Sequence, residues 1–96
     1  MTKSEVIEAL AAEINIAINE ARDIVNTILN SMSDALIGGD GIQLRGFGTF
    51  KIKKYQSYIG HNPMTGERTT VKPKKLPVFK PGKNLAQAVN EARNEQ

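Results

Sequence analysis

The feature that most limits how this chain can fold is a polar stretch of 23 residues, positions 54–76, within a sequence of 96. Its large apolar side chains stand isolated among lysine, arginine, threonine and glycine, and they are Tyr55, Tyr58, Ile59, Met64, Val71 and Leu76. Such a stretch has too little apolar surface to join a core. The pairs Asn62-Pro63 and Thr65-Gly66 at its centre favour turns. We therefore predict a two-stranded ribbon that projects into solvent, turns near Pro63 and has a flexible tip, since isolated ribbons are marginally stable in water.

Helical periodicity marks the sequence on the amino-terminal side of this ribbon. Apolar residues at helical spacing predict a helix over about 3–14, opened by a capping box of Thr2 and Glu5. A wider apolar stripe predicts a second, longer helix over about 18–37. Gly38-Gly39 ends it, because glycine readily adopts the left-handed backbone that closes a helix.

From position 42 onward the apolar period changes from 3.6 to 2, which indicates β-strands. Two antiparallel strands, at about 42–45 and 50–53, are joined by a tight Gly46-Phe47-Gly48 connection. After the ribbon, residues 76–82 bring the chain back to the body, and a short amphipathic helix follows near 83–93.

These elements predict an α+β fold with two N-terminal helices, an antiparallel sheet that carries a long protruding β-ribbon arm, and a short C-terminal helix. We assign all 96 residues to one domain, as the length favours. Its parts are a helical dimerisation part at 1–41, the sheet and arm at 42–82, and the C-terminal helix and tail at 83–96.

The body of this fold is too small to bury its own apolar faces. Without the ribbon about 73 residues remain, and scaffolds of that size without cysteine or metal commonly need oligomerisation. We therefore predict an intertwined two-fold dimer, whose partner subunit is either an identical copy or a paralogue. The residues assigned to its core are Ile28, Leu29, Met32, Leu36, Phe47, Phe50 and Phe79.

The net charge of +3 conceals an uneven distribution. Residues 1–41 carry two basic and seven acidic side chains, a net charge of −5, whereas residues 42–96 carry eleven basic and three acidic ones, a net charge of +8. This division indicates an acidic scaffold with a cationic working surface for an anionic partner. The alternative is a set of charged faces that are merely solvated.

Composition excludes several kinds of site. The chain has no cysteine and a single histidine, His61, so disulfides, thiol catalysis, zinc–thiolate centres and histidine metal sites are not expected. The glycines around Phe47 and the Pro81-Gly82-Lys83 run lack the remainder of a phosphate-binding loop. We predict no enzyme activity, metal, cofactor, membrane span or small-molecule substrate, and we expect a cytoplasmic protein.

Three blocks of sequence resemble the HU and integration host factor family of bacterial histone-like proteins. They are Gly46-Phe-Gly-Thr-Phe50, Gly60-His-Asn-Pro-Met-Thr-Gly66 and Phe79-Lys-Pro-Gly-Lys83, and they stand at the separations typical of that family. The resemblance implies a nucleoid-associated dimer whose two arms enter the minor groove of double-stranded DNA and bend it. It also implies that Pro63 is the wedge inserted between base pairs.

The residues expected to contact DNA come from the arm and its surroundings. They are Arg45, Lys51, Lys53, Lys54, Tyr55, Tyr58, His61, Asn62, Pro63, Met64, Arg68, Lys72, Lys74, Lys75, Lys80 and Lys83. The lysines are expected to neutralise phosphates, and Arg68 is expected to reach the minor groove. Tyr55 and Tyr58 have two open roles, contact with sugar edges or cross-strand packing. His61 departs from the family, which usually has arginine before Asn-Pro.

Two other functions remain open at this point. A protein that coats DNA or structured RNA without bending is compatible with the His61 departure. A basic arm could also dock an acidic protein or an anionic membrane, which predicts no duplex binding at physiological salt.

Overall fold

A computed structural model of the chain describes residues 1–92 and confirms the α+β fold. Its elements are α1 (Lys3–Ile14), α2 (Ile18–Ile37), β1 (Ile42–Leu44), β2 (Gly48–Tyr55), β3 (Tyr58–His61), β4 (Arg68–Val71), β5 (Lys74–Pro81) and α3 (Lys83–Ala92). They form two compact units, one from Met1 to Gly38 and one from Gly39 onward. The last residue of the predicted third helix and the tail at 93–96 lie outside the described residues.

The first helix begins and ends where the sequence predicts. The Thr2 hydroxyl accepts a hydrogen bond from the backbone N–H of Glu5 at 3.2 Å, which satisfies one free donor of the first turn. The Glu5 carboxylate accepts from the same hydroxyl and does not reach back to the Thr2 backbone, so only half of the predicted capping box forms. Asn15 ends the helix in the left-handed conformation, with φ 54°.

The core of the helical unit is small. Ile7 and Ala11 of α1 and Ala21 and Val25 of α2 are its four buried residues. Burial of the isoleucine and the valine contributes roughly 1.5–3 kcal/mol each. Most of the wide apolar face of α2 stays outside this core, and Ile28, for example, is 53% exposed.

The sheet has three antiparallel strands in the order β1-β2-β5. The predicted hairpin between β1 and β2 is confirmed, because the Phe47 N–H donates to the Leu44 carbonyl at 2.9 Å across the connection. Gly46 lies within this turn with φ 84°, a value that glycine adopts without strain. The strand β5 pairs with β2 over eight residues, from Gly48 opposite Pro81 to Tyr55 opposite Lys74. The sequence had indicated only that the chain returns to the body here.

The arm differs from the single ribbon predicted over 54–76. Its proximal part belongs to the β2–β5 pair, and its distal part is a separate two-stranded sheet of β3 and β4. Residues 56–57 on one side and 72–73 on the other carry no strand pairing. Pro73 lacks a backbone N–H and so cannot donate to a ladder at this point. The ribbon is therefore divided into two paired segments by a short break.

The third helix follows directly from the sheet. The Gly82 N–H donates to the Phe47 carbonyl at 2.8 Å, and the Ala86 N–H donates to the Gly82 carbonyl at 3.0 Å, which ties the helix start to the β1–β2 turn. None of the ten residues of α3 is buried. Among the described helices, none has the length and hydropathy needed to cross a membrane.

Candidate nucleic-acid interface

The pairing of β2 with β5, which runs from the sheet into the arm, places the side chains of both strands on two faces. Because side chains alternate along a strand and directly paired residues share a face, the register assigns each residue. One face, called the cationic face below, carries Thr49, Lys51, Lys53 and Tyr55 of β2 and Lys74, Leu76, Val78 and Lys80 of β5. The other, called the apolar face, carries Phe50, Ile52, Pro77 and Phe79, and Lys54 and Lys75 lie on the same side at its far end.

Tyr55 organises the cationic face. The Lys53 ammonium lies 5.3 Å from the centre of the Tyr55 ring, and the Lys74 ammonium from the opposite strand lies 5.6 Å from it. Both distances fall within the range of a cation–π interaction. Tyr55 is half-buried and makes the cross-strand contacts that were one of its two open roles. The four lysines of this face are exposed.

The apolar face is built on aromatic contacts. The Phe50 and Phe79 rings are 4.8 Å apart between centroids, and Phe79 is 5.5 Å from Phe47. Gly48 permits this packing, because a Cβ there would lie 2.6 Å from the Phe79 ring. Even so, Phe47 remains 47% and Phe79 39% exposed in the single chain.

Every residue assigned to the dimer core is at least partly exposed in the single chain. Ile28, Leu29, Phe47 and Phe79 are exposed, whereas Met32, Leu36 and Phe50 are half-buried.

The distal arm exposes nearly all of its side chains. The Tyr58 side chain shares a face with Val71, its partner in the register. Both side chains lie beside Gly60, where a Cβ would be 3.6 Å from Val71 and 3.7 Å from Tyr58. His61 and Arg68 lie directly opposite each other on the other face. The structure therefore brings the histidine and the arginine predicted near the tip into one cross-strand pair.

Asn62 makes three hydrogen bonds that close the loop at the tip. Its backbone N–H donates to the Glu67 carbonyl at 2.9 Å, and its carbonyl accepts from the Gly66 N–H at 2.7 Å. Its side-chain Oδ1 also accepts from the Met64 N–H at 2.8 Å. The four residues between Asn62 and Glu67 thus form a closed loop, with Gly66 at φ 74°. Pro63 is exposed at the first loop position, and Met64 beside it is 90% exposed.

The remaining predicted contacts do not gather on one face. Arg45 lies in the β1–β2 turn, Lys72 in the break of the arm and Lys83 at the start of α3. Lys54 and Lys75 are paired with each other, on the same side of the strands as the apolar face.

A cleft that the sequence did not indicate lies at the break of the arm. It has a volume of about 450 Å³ and is lined by Lys54, Tyr55, Gln56, Pro73, Lys74 and Lys75. Gln56 and Pro73 had no predicted role. The sequence feature that could have indicated this cleft is Pro73, because a proline interrupts strand pairing. Within residues 1–92 no three acidic, histidine or cysteine side chains are grouped in a way that could hold a metal ion.

Known proteins resemble this chain along nearly its whole length. A family model described as bacterial DNA-binding protein matches residues 1–90. Integration host factor subunit beta of Vibrio parahaemolyticus is 44% identical over 91 residues, covering 94% of this chain and 98% of that protein. The same subunit of Halorhodospira halophila is 42% identical over 96 residues, covering 99% and 94%.

Among solved structures, the Anabaena HU–DNA cocrystal structure matches with a TM-score of 0.82 and 28% identity, over 93% of this chain and 97% of that one. The matching family is one of DNA-binding proteins, which agrees with the prediction that the chain is a binding protein and not an enzyme. The chain therefore belongs to the family of bacterial architectural DNA-binding proteins that contains HU and integration host factor.

Proposed function

We propose that the chain acts as one subunit of a dimer that binds the minor groove of duplex DNA and bends it, with Pro63 of each arm inserted between base pairs. The observation that carries this proposal is the tip, where an exposed proline is held at the first position of a loop closed by Asn62.

The tip has the properties that a wedge requires. Proline is apolar and rigid, and it lacks an N–H that would be left unpaired between bases. The three hydrogen bonds made by Asn62 hold the loop before DNA arrives, so less order has to be created on binding. Unstacking a base step costs a few kcal/mol, which contacts along the bent duplex can offset.

A second subunit is supported by the apolar surface that one chain leaves open. Ile28 and Leu29 in the helical unit, and Phe47 and Phe79 in the sheet unit, are all exposed. Covering a large apolar side chain contributes roughly 1.5–3 kcal/mol, so these positions alone favour association strongly. The relatives named as a beta subunit favour a paralogous partner, and an identical partner would cover the same residues.

The cationic face supplies the contact with the DNA backbone. Its four exposed lysines per arm, together with those of a second arm, can each neutralise a phosphate and release a counterion. If a dimer neutralises roughly six to ten phosphates, its affinity for DNA falls by about 10³ or more between 50 and 200 mM salt. In this proposal the protein acts on chromosomal DNA in the nucleoid.

The test is energy transfer between dyes at the two ends of a duplex of about 35 base pairs, measured as protein is added. The unmodified dimer is expected to draw the ends together. Pro63→Ala is expected to bind with a smaller bend, because the alanine side chain is too short to hold a base step open. Met64→Ala is the comparison, since it removes a neighbouring predicted contact of the same loop and leaves the proline in place; it is expected to keep more of the bend than Pro63→Ala does.

Each result has a distinct meaning. Equal bend angles for Pro63→Ala and the unmodified protein would refute the wedge. Binding without approach of the ends would favour a protein that coats DNA without bending it. If the isolated chain does not bind, the assay is repeated with a paralogous subunit; failure of both would refute the proposed function.

A further inference from the structure

We propose that Lys54 and Lys75 form a second phosphate-binding site, on the reverse side of the arm, which holds the backbone of a second DNA duplex. The lysine pair, as these two residues are called below, would let a dimer bridge two duplexes while its cationic face binds the first. This inference rests on the proposed function, because it assumes that one duplex occupies the cationic face.

The lysine pair places two like charges at directly paired positions without a compensating acid nearby in the sequence. Lys54 and Lys75 are directly opposite each other in the register of β2 and β5. Like charges at such positions repel, because the Cβ atoms of directly paired residues are about 4.5–5.5 Å apart. Between positions 41 and 90 the only acidic residue is Glu67, which follows the tip loop. An anion bound between the two ammonium groups would remove this repulsion.

The neighbouring lysines on the opposite side are differently placed. Lys53 and Lys74 have their ammonium groups over the Tyr55 ring, at 5.3 and 5.6 Å. That ring has no equivalent on the other side, where the register pair next to the lysine pair is Ile52 and Pro77. Apolar residues also stand beside the lysines of the cationic face, where Leu76 is opposite Lys53. An apolar neighbour on one side strengthens the attraction between the ammonium groups and an anion, since it excludes part of the solvent.

The site also has room for a phosphate and is open. Both lysines line the cleft of about 450 Å³ at the break of the arm, where Tyr55 and Lys74 of the cationic face also line it. Lys54 lies four residues along β2 from Phe50, and Lys75 lies four residues along β5 from Phe79, which is about 13 Å in each case. A partner subunit that covers the aromatic contacts therefore need not cover the lysine pair. Both side chains are exposed in the chain.

The position of the lysine pair favours a second duplex over the first. Side chains on opposite sides of one ribbon point in opposite directions, so a duplex on the cationic face is not in front of the lysine pair. Repulsion between the two duplexes is limited, because charges are screened over about 8–10 Å in physiological salt. The other anion on hand is the helical unit of another dimer, which has six acidic and two basic residues at 1–38. DNA is favoured, since it presents one charge per about 1.7 Å of its axis.

The experiment measures bridging and bending separately with the full-length protein. Capture of a dye-labelled duplex by a second duplex fixed on beads reports bridging, and end-to-end energy transfer in one free duplex reports bending. The variant is Lys54→Gln with Lys75→Gln, which keeps side-chain length and removes both charges. At 0.1 M salt one phosphate contact contributes about eightfold in affinity, so capture is expected to weaken by about that factor or more. Binding and bending of the single duplex are expected to weaken less than capture does.

Two further variants complete the design. Lys51→Gln with Lys80→Gln removes two charges from the cationic face, and it is expected to weaken binding of the single duplex. Lys54→Arg with Lys75→Arg keeps both charges and is expected to retain capture. Circular dichroism of each variant confirms that the fold is intact.

Four outcomes would overturn the inference while leaving the proposed function in place. The unmodified protein could bend DNA without capturing a second duplex, or capture could be unaffected by removing the lysine pair. Removal of the pair could weaken single-duplex binding as strongly as the change at Lys51 and Lys80, which would place both sets on one duplex. Finally, assembly beyond the dimer without DNA, lost on removal of the pair, would assign it to the acidic helical unit of another copy. Failure of the unmodified protein to bind or bend any duplex would instead refute the proposed function.

Discussion

Replacing Gly48 with alanine tests how closely the start of β2 packs against the end of β5. Gly48 is buried at the start of β2, and a Cβ built on it lies 2.6 Å from the Lys80 carbonyl oxygen and 2.6 Å from two atoms of the Phe79 ring. The ring could rotate away, but the carbonyl belongs to the paired strand β5 and moves only if the strands separate. Overpacking a well-packed site typically costs 1–3 kcal/mol. Because backbone must move here, we expect Gly48→Ala to lower the free energy of unfolding by about 3 kcal/mol.

Gly46→Ala is a matched control two residues away in the same turn. Gly46 has φ 84°, and a Cβ built there meets no heavy atom within 4 Å beyond its two neighbours in the chain, among the described residues. Alanine at this position therefore meets only the strain of a left-handed backbone, about 1–2 kcal/mol. The two substitutions add the same methyl group to the same hairpin, but only Gly48→Ala meets the steric contact with Lys80 and Phe79, and only Gly46→Ala meets the strain of a left-handed backbone.

The assay is urea unfolding followed by circular dichroism at one fixed protein concentration, because the stability of a dimer depends on concentration. Gly48→Ala is expected to be less stable than Gly46→Ala by about 1–2 kcal/mol, the difference between the two values above. A cost for Gly48→Ala no greater than that for Gly46→Ala would refute the reasoning, because it would mean that β5 is not held against β2 at this position.

Substitutions at three further positions test other parts of the molecule. Tyr55→Leu is expected to weaken DNA binding by removing the ring that positions two lysine ammonium groups, whereas Tyr55→Phe keeps the ring and should bind like the unmodified protein; the comparison is made by titration at fixed salt. Asn62→Ala removes the side-chain acceptor for the Met64 N–H, so the DNA bend measured by energy transfer should decrease although Pro63 is still present. Leu29→Lys places a charge on the exposed apolar face of α2, and sedimentation equilibrium should then show dissociation into single subunits, whereas an unchanged mass would exclude Leu29 from the interface.

The helices were predictable because their signals are local. The bounds 3–14 and 18–37 follow from apolar residues at helical spacing and from nearby stop signals, and the structure has the same bounds. The glycine-flanked turn at Phe47 and the turn at Pro63 are equally local, since each depends on residues within a few positions.

The strand β5 was not predictable by the same means. It pairs with β2 through residues that are between 19 and 33 positions apart in the sequence, and periodicity within one segment does not report such distant contacts. Pro77 also argues against a strand, because proline cannot donate to a ladder. The structure resolves this conflict by placing β5 at the edge of the sheet, paired on one side only, where a missing donor is tolerated.

The division of the lysines into two faces follows from a contact between aromatic rings. Lys74 and Lys75 are adjacent in the sequence, so one of them must share a face with Tyr55 and the other must not, and the register decides which. That register is the one that sets Phe50 opposite Phe79, with 4.8 Å between their rings. A slip of one residue would move Phe79 to the cationic face and exchange the two lysines. A substitution that weakens the aromatic contact is therefore expected to change which lysines meet DNA, in addition to lowering the stability of the sheet.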